Sequence, residues 1–103
     1  MTKYHATPTT VDGHRFASKR EAKRYGELKL MVRTNEIEGL RLQPPYEIKI
    51  NGMKVCKYIA DFTYTDRTTG EAIVEDVKGV RTPLYNLKRK LMKAVHGIEV
   101  LET

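Results

Sequence analysis

The stretch "IVEDVKG", Ile73–Gly79, decides how this chain is read. Ile73 and Val74 open it like a buried β-strand, yet Glu75, Asp76 and Lys78 follow before a glycine closes it. Side chains alternate faces along a strand. Asp76 and Lys78 therefore share one face, with Val77 on the other and Glu75 pointing away from the pair. Burying either charge alone is costly. A local ion pair is one remedy and a divalent cation is another.

The same cost arises one strand earlier. Asp61 in "YIADFTY" stands amid Tyr58, Ile59, Phe62 and Tyr64, where an aspartate is both a poor strand former and an expensive core residue. If the two strands pair through a turn at Asp66–Gly70, Asp61 and Asp76 come close together on one face. Two carboxylates at that separation repel unless they share a proton or a metal. Oxygen-only donors favour Mg²⁺ or Mn²⁺ over zinc. Glu21 is a third acid with two readings of equal weight. It completes an S-x-x-E capping box with Ser18, and it lies on the inner stripe of the first helix.

The remaining elements follow from turn signals and periodicity. "VDGHRF" carries an Asp-Gly turn between Val11 and Phe16. Residues 18–35 read as helix, with Ala22, Tyr25, Leu28 and Val32 as the buried stripe and Asn35 as the stop. Strands are expected over 40–50, interrupted by Pro44-Pro45, and over 53–64, joined by the hairpin signal Asn51-Gly52. A third covers 71–78. A second helix over 83–95 starts at a proline and has Leu84, Leu87, Leu91 and Val95 as its apolar stripe. "IEVL", 98–101, gives a last short strand. The order is αβββαβ, in one α+β domain over 11–103 with a polar arm at 1–10.

Composition narrows the function classes. At 103 residues there is room for one modest core. No apolar run is long enough to cross a bilayer, and the first ten residues lack the apolar segment of a secretory signal. Cys56 is the single cysteine, suited to a core or interface in a reducing cytoplasm, and with His5, His14 and His96 scattered no zinc site is expected. The net charge is +6. Residues 1–33 hold eight Lys/Arg against three acids, residues 34–78 six against eight, and residues 79–103 five against two. Basic ends around an acidic centre suit a polyanionic partner and a bound cation.

With Asp61 followed by Asp76-Val77-Lys78 on successive strands, and Glu21 on the helix before them, the chain resembles the PD-(D/E)xK, or restriction-endonuclease-like, nucleases. It looks closest to a small phage-encoded family of unknown function with stretches such as "FASKREAKRY", "ADFTY" and "VEDVKG". Ala60 stands where a proline precedes the first aspartate in the motif's name. The resemblance implies a mixed four-stranded sheet flanked by helices, metal-dependent hydrolysis of DNA phosphodiesters, and a cytoplasmic setting in a bacterial host. Asp61, Asp76, Glu21 and the Val77 carbonyl would hold Mg²⁺ or Mn²⁺, and Lys78 would stabilise transition-state charge. A small enzyme without a separate recognition domain would be structure-selective, like a Holliday-junction resolvase, and would act as a homodimer. Lys88 on the second helix would border the site, with Arg89, Lys93, Lys19 and Lys23 as further phosphate contacts. A simple register through Asn51-Gly52 pairs Leu42 with Asp61, so only a bulge at Pro44-Pro45 would turn Gln43 toward the acids. The alternatives are a nuclease-like fold that binds DNA without cutting it, and a small α/β protein whose charges are merely ion pairs.

Overall fold

A computed structural model describes residues 7–103. The expected polar arm lies largely outside the described residues, and Thr9 and Thr10 already belong to a strand. β1 (Thr9–Val11) and β2 (His14–Phe16) form an antiparallel hairpin around Asp12 and Gly13, at φ 52° and 76°. Both residues at positive φ is the turn geometry that matches strand twist. α1 (Lys19–Arg33) starts at Ser18, whose hydroxyl accepts from the Glu21 N–H at 3.1 Å, and Asn35 follows it at φ 62°. It buries Glu21, Ala22, Tyr25 and Leu28. Val32, expected to end that stripe, is exposed, and Met31 packs instead. At 3.6 residues per turn the buried line drifts from i+4 to i+3.

The two long strands expected on either side of Asn51-Gly52 are each broken in two. β3 (Ile37–Leu42) and β6 (Phe62–Asp66) pair in one sheet; β4 (Pro45–Ile50) and β5 (Met53–Ile59) pair in another. The ribbon changes sheet where Gln43, at φ 53°, meets Pro44 and where Ala60 meets Asp61. Pro44 has no N–H for a ladder. Two bonds carry the chain across the gap, Gln43 N to Asp61 O at 3.0 Å and Ala60 N to Pro44 O at 3.2 Å. Asp61 thus stands at a junction between sheets, not in mid-strand as expected.

β7 (Ala72–Asp76) returns antiparallel to β6 after a turn in which Asp66 Oδ1 accepts from Thr68 N at 2.8 Å and Gly70 takes φ 77°. α2 (Pro83–His96) crosses back to β8 (Leu101–Glu102), which lies parallel to β7. The result is a mixed four-stranded sheet, order β3-β6-β7-β8, with two helices. The last strand starts later than expected because Gly97, at φ 69°, and the bond from Ile98 N to Met92 O complete the helix cap first. α2 turns inward a face that keeps only Leu91 of the expected stripe. It buries Tyr85 and Met92, while Leu84 and Leu87 are 60% and 54% exposed. The helix is apolar on two sides, and the side carrying the bulkier pair meets Ile48, Tyr58, Val74 and Val100.

The core is split by the sheet. One cluster joins α1 to Phe16, Ile37, Phe62 and Tyr64; the other joins α2 to the β4–β5 hairpin, with Cys56 half-buried at its edge. Ile73 packs with the first and Val74 with the second; the strand expected over 71–78 ends at Asp76, yet Val77 just beyond it keeps the alternation and packs with the first. Among the described residues no helix is long and apolar enough to cross a membrane.

Candidate active site

β6 and β7 pair Phe62 with Glu75, which brings Asp61 and Asp76 opposite each other at the end of the ladder. The Asp61 N–H still donates to Glu75 O at 3.1 Å, and Asp61 Oδ2 accepts from the Val77 N–H at 2.7 Å. Asp76 is buried. Its Oδ1 lies 3.0 Å from Lys78 Nζ, and its Oδ2 accepts a short hydrogen bond from the Tyr58 hydroxyl. Lys78 Nζ also sits 3.9 Å from the centre of the Tyr85 ring, a cation–π contact at the mouth of the site.

The electrostatics are unbalanced. Burial, then the charge of Asp76, push the Asp61 carboxyl up to about 8; the Val77 N–H opposes this and Glu21 adds to it. Glu21 is raised as well, chiefly by burial, with the Ala17 N–H and the Gln43 side chain pulling it down and Asp76 pushing it up. Burial and the bond to Asp76 raise the Tyr58 hydroxyl strongly, so it stays a donor. Asp61, Asp76 and Glu21 therefore feel one another, with Lys78 as the cation among them. Among the described residues, no group of three His, Cys, Asp or Glu side chains is arranged to hold a metal ion.

Gln43 does face the acids, but by another route than the one expected. Ile50 pairs with Met53 and Lys49 with Lys54; then Ile48 pairs with Cys56. Val55 is the extra residue of a β-bulge, and it moves every later pairing by one. Gln43, not Leu42, comes to lie across from Asp61. The displacement arises in β5, far from Pro44-Pro45.

The basic residues separate into groups. Lys88, Lys78, Lys57 and Asp76 line a cavity of about 500 Å³ between β5 and the start of α2. Lys88 Nζ donates to Lys57 O at 2.9 Å. Arg89 and Lys93 lie on another face of α2, 3.7 Å from Glu102 and 3.7 Å from Glu99. Lys23 borders a smaller hollow with Arg20 and Val77, on the α1 side; Lys19 is exposed in the first turn of α1. Arg24, on the same helix, turns inward. Its guanidinium grips the fully buried Glu75 through Nε–Oε2 at 2.8 Å and Nη2–Oε1 at 2.9 Å.

Tyr58, Tyr85, Lys57 and Arg24 were not singled out from sequence. Strand parity offers a signal for Arg24: Glu75 must face α1, and a buried carboxylate needs a cation there. Tyr85 has a weaker one, since a helix starting a few residues after Lys78 must fold its first turn over the strand end.

The fold and this cluster define a small α+β domain with a carboxylate pair and a lysine at the ends of its two central strands. The model of the family described as "Protein of unknown function (DUF1064)" matches residues 1–100, and the chain belongs to that family. No curated protein and no solved structure gives a match.

Proposed function

We propose that this protein is a metal-dependent DNA endonuclease of the PD-(D/E)xK kind, structure-selective, phage-type and homodimeric. The observation that carries the reading is the carboxylate pair itself. Asp61 opposes Asp76 across β6 and β7, with Lys78 3.0 Å from Asp76, and Asp61 is pushed up to about 8. A carboxyl raised in this way stands where positive charge is short, and a cation could take the place of its proton. The donors are all oxygen, as Mg²⁺ and Mn²⁺ require. Asp61 and Asp76 would hold the ion, with Glu21 and the Val77 carbonyl beside them. When bound, such a cation polarises a phosphate oxygen and lowers the pKa of water.

The protein's own groups do the rest. Tyr58 donates to one oxygen of Asp76 and Lys78 meets the other, so the carboxylate is held from both sides. The Tyr85 ring holds the Lys78 ammonium at the cavity mouth, where it can meet charge developing on a phosphate. Lys88 and Lys57 place two more cations along the path a strand would take.

A second reading, a DNA-binding module that does not cut, is favoured by one observation: among the described residues no three ligands are arranged to hold a metal. Nicking of a four-way junction and a plain duplex separates the two. Cutting is expected with Mg²⁺ or Mn²⁺, and none with EDTA or in Asp76→Asn. DNA binding with no cutting in either metal would leave the second reading standing.

A further inference from the structure

We propose that the cavity between β5 and the start of α2 takes one unpaired nucleotide of a DNA strand, so that this site acts beside an unstacked base. The proposal rests on the nuclease reading and names its substrate more closely. The cavity, at about 500 Å³, has the size of a small-ligand site. Asp76 and Lys78 form part of its lining, so whatever fills it lies next to the proposed chemistry.

Its lining is of two kinds. Lys57, Lys78 and Lys88 bring three cations against one carboxylate, and that carboxylate already receives bonds from Tyr58 and Lys78. The surplus charge suits phosphate. Between the lysines stand Ile59 on the strand and Leu84 on the helix, 52% and 60% exposed. An intact duplex offers phosphates and groove edges, and its stacked bases cannot reach these walls. Single strands are held without reading sequence by cations beside side chains that cover the face of a base, most often aromatic ones; here Ile59 and Leu84 offer an aliphatic cover beside the Tyr85 ring. The arrangement therefore fits a base swung out of the stack, its flanking phosphates on the lysines.

The test uses the full chain in EDTA, so that nothing is cut. 2-Aminopurine is placed once as an extrahelical bulge and once paired in the same duplex, and binding is followed by fluorescence and anisotropy. The bulged DNA should bind at least about fivefold tighter, and its probe signal should change on binding. Ile59→Thr and Leu84→Ser should weaken bulged DNA about tenfold while paired DNA stays within about twofold. Both side chains are exposed, and thermal melts verify that the variants fold. Equal affinity for the two DNAs, or equal loss for both in the variants, overturns the proposal. Cleavage is read separately with Mg²⁺. A bulge preference without cutting keeps the cavity and overturns the nuclease reading, and cutting without a preference does the reverse.

Discussion

Glu75 and Asp76 are adjacent on β7 and leave it in opposite directions. Glu75 enters the α1 side and is fully buried. There it meets the Arg24 guanidinium, the Tyr64 hydroxyl at 2.7 Å and the Thr103 hydroxyl at 3.1 Å. Every lone pair that matters has a donor, and Arg24 is held even more firmly in its charged form. Asp76 enters the α2 side, where a second carboxylate opposes it, a third lies in electrostatic range and a cavity opens beside it. One cluster is closed and neutral. The other sets three acids beside a single lysine, and Asp61 holds a proton where a cation is lacking. Burial alone does not mark a functional acid; a buried acid left short of cations does.

Arg24→Met leaves Glu75 buried with two hydroxyls for company, which should cost about 3–5 kcal/mol in a urea melt. For a domain of this size that is a large share of total stability. The double variant Arg24→Met/Glu75→Leu removes the stranded charge and should recover most of the loss. If Arg24→Met costs no more than an ordinary surface change, the closed cluster is not what holds α1 to β7.

Lys78 differs in what else it does. It is the cation of the open cluster, and without it buried Asp76 keeps only its Tyr58 bond. Lys78→Ala should therefore also lose stability in the absence of metal, while the folded variant binds DNA almost as well. Single-turnover cleavage should fall about 100–1000-fold, equivalent to roughly 3–4 kcal/mol of transition-state stabilisation. A variant that cuts normally would make Lys78 a mere counter-ion.

The shortage of cations should also show in the pH dependence of stability. The Asp61 carboxyl is raised to about 8 in the folded chain by burial and by Asp76. Unfolded, it titrates near the ordinary aspartate value of about 4. Between these limits the folded state binds more protons than the unfolded, so stability in EDTA should fall as pH rises from about 4 to about 8, by at most about 1.4 kcal/mol per unit. Asp61→Asn should flatten that slope. Mn²⁺ should raise the melting temperature of wild type, most at the alkaline end, and not that of Asp76→Asn. A flat wild-type profile would mean the acids do not strain one another.

The parts of this structure that could be read from sequence are those set by local chemistry. Asp12-Gly13 and Asn51-Gly52 mark turns because their backbones must adopt positive φ, Ser18 marks a helix start, and strand parity separates Glu75 from Asp76. What could not be read depends on partners distant in the chain. The extra residue at Val55 leaves no trace in a pattern that alternates on both sides of it, yet it decides whether Gln43 or Leu42 faces Asp61. α2 has two apolar faces, and only the hairpin packed against it selects Tyr85 and Met92. Glu21 illustrates the limit from both sides, since its N–H is bonded to the Ser18 cap while its carboxyl lies among the acids.

The finest contrast is between two lysines of one helix. Lys88 reaches into the cavity beside Asp76 with its ammonium on the Lys57 carbonyl, whereas Lys93 lies on another face, near Glu99. Each carries one positive charge, so each variant to alanine should weaken DNA binding modestly. If a lysine contacts a phosphate, its loss should flatten the dependence of log K on log salt by about one unit. Lys88→Ala should do so, because its charge borders the path to the acids, and it should also slow single-turnover cleavage at saturating DNA. Lys93→Ala should leave both the slope and the rate nearly unchanged, its charge being already half-answered by Glu99. Salt titrations of affinity between about 50 and 200 mM, run beside the cleavage assay, resolve an effect of this size. Equal slopes and equal rates for the two variants would mean that the cavity face of α2 has no closer relation to DNA than its neighbour.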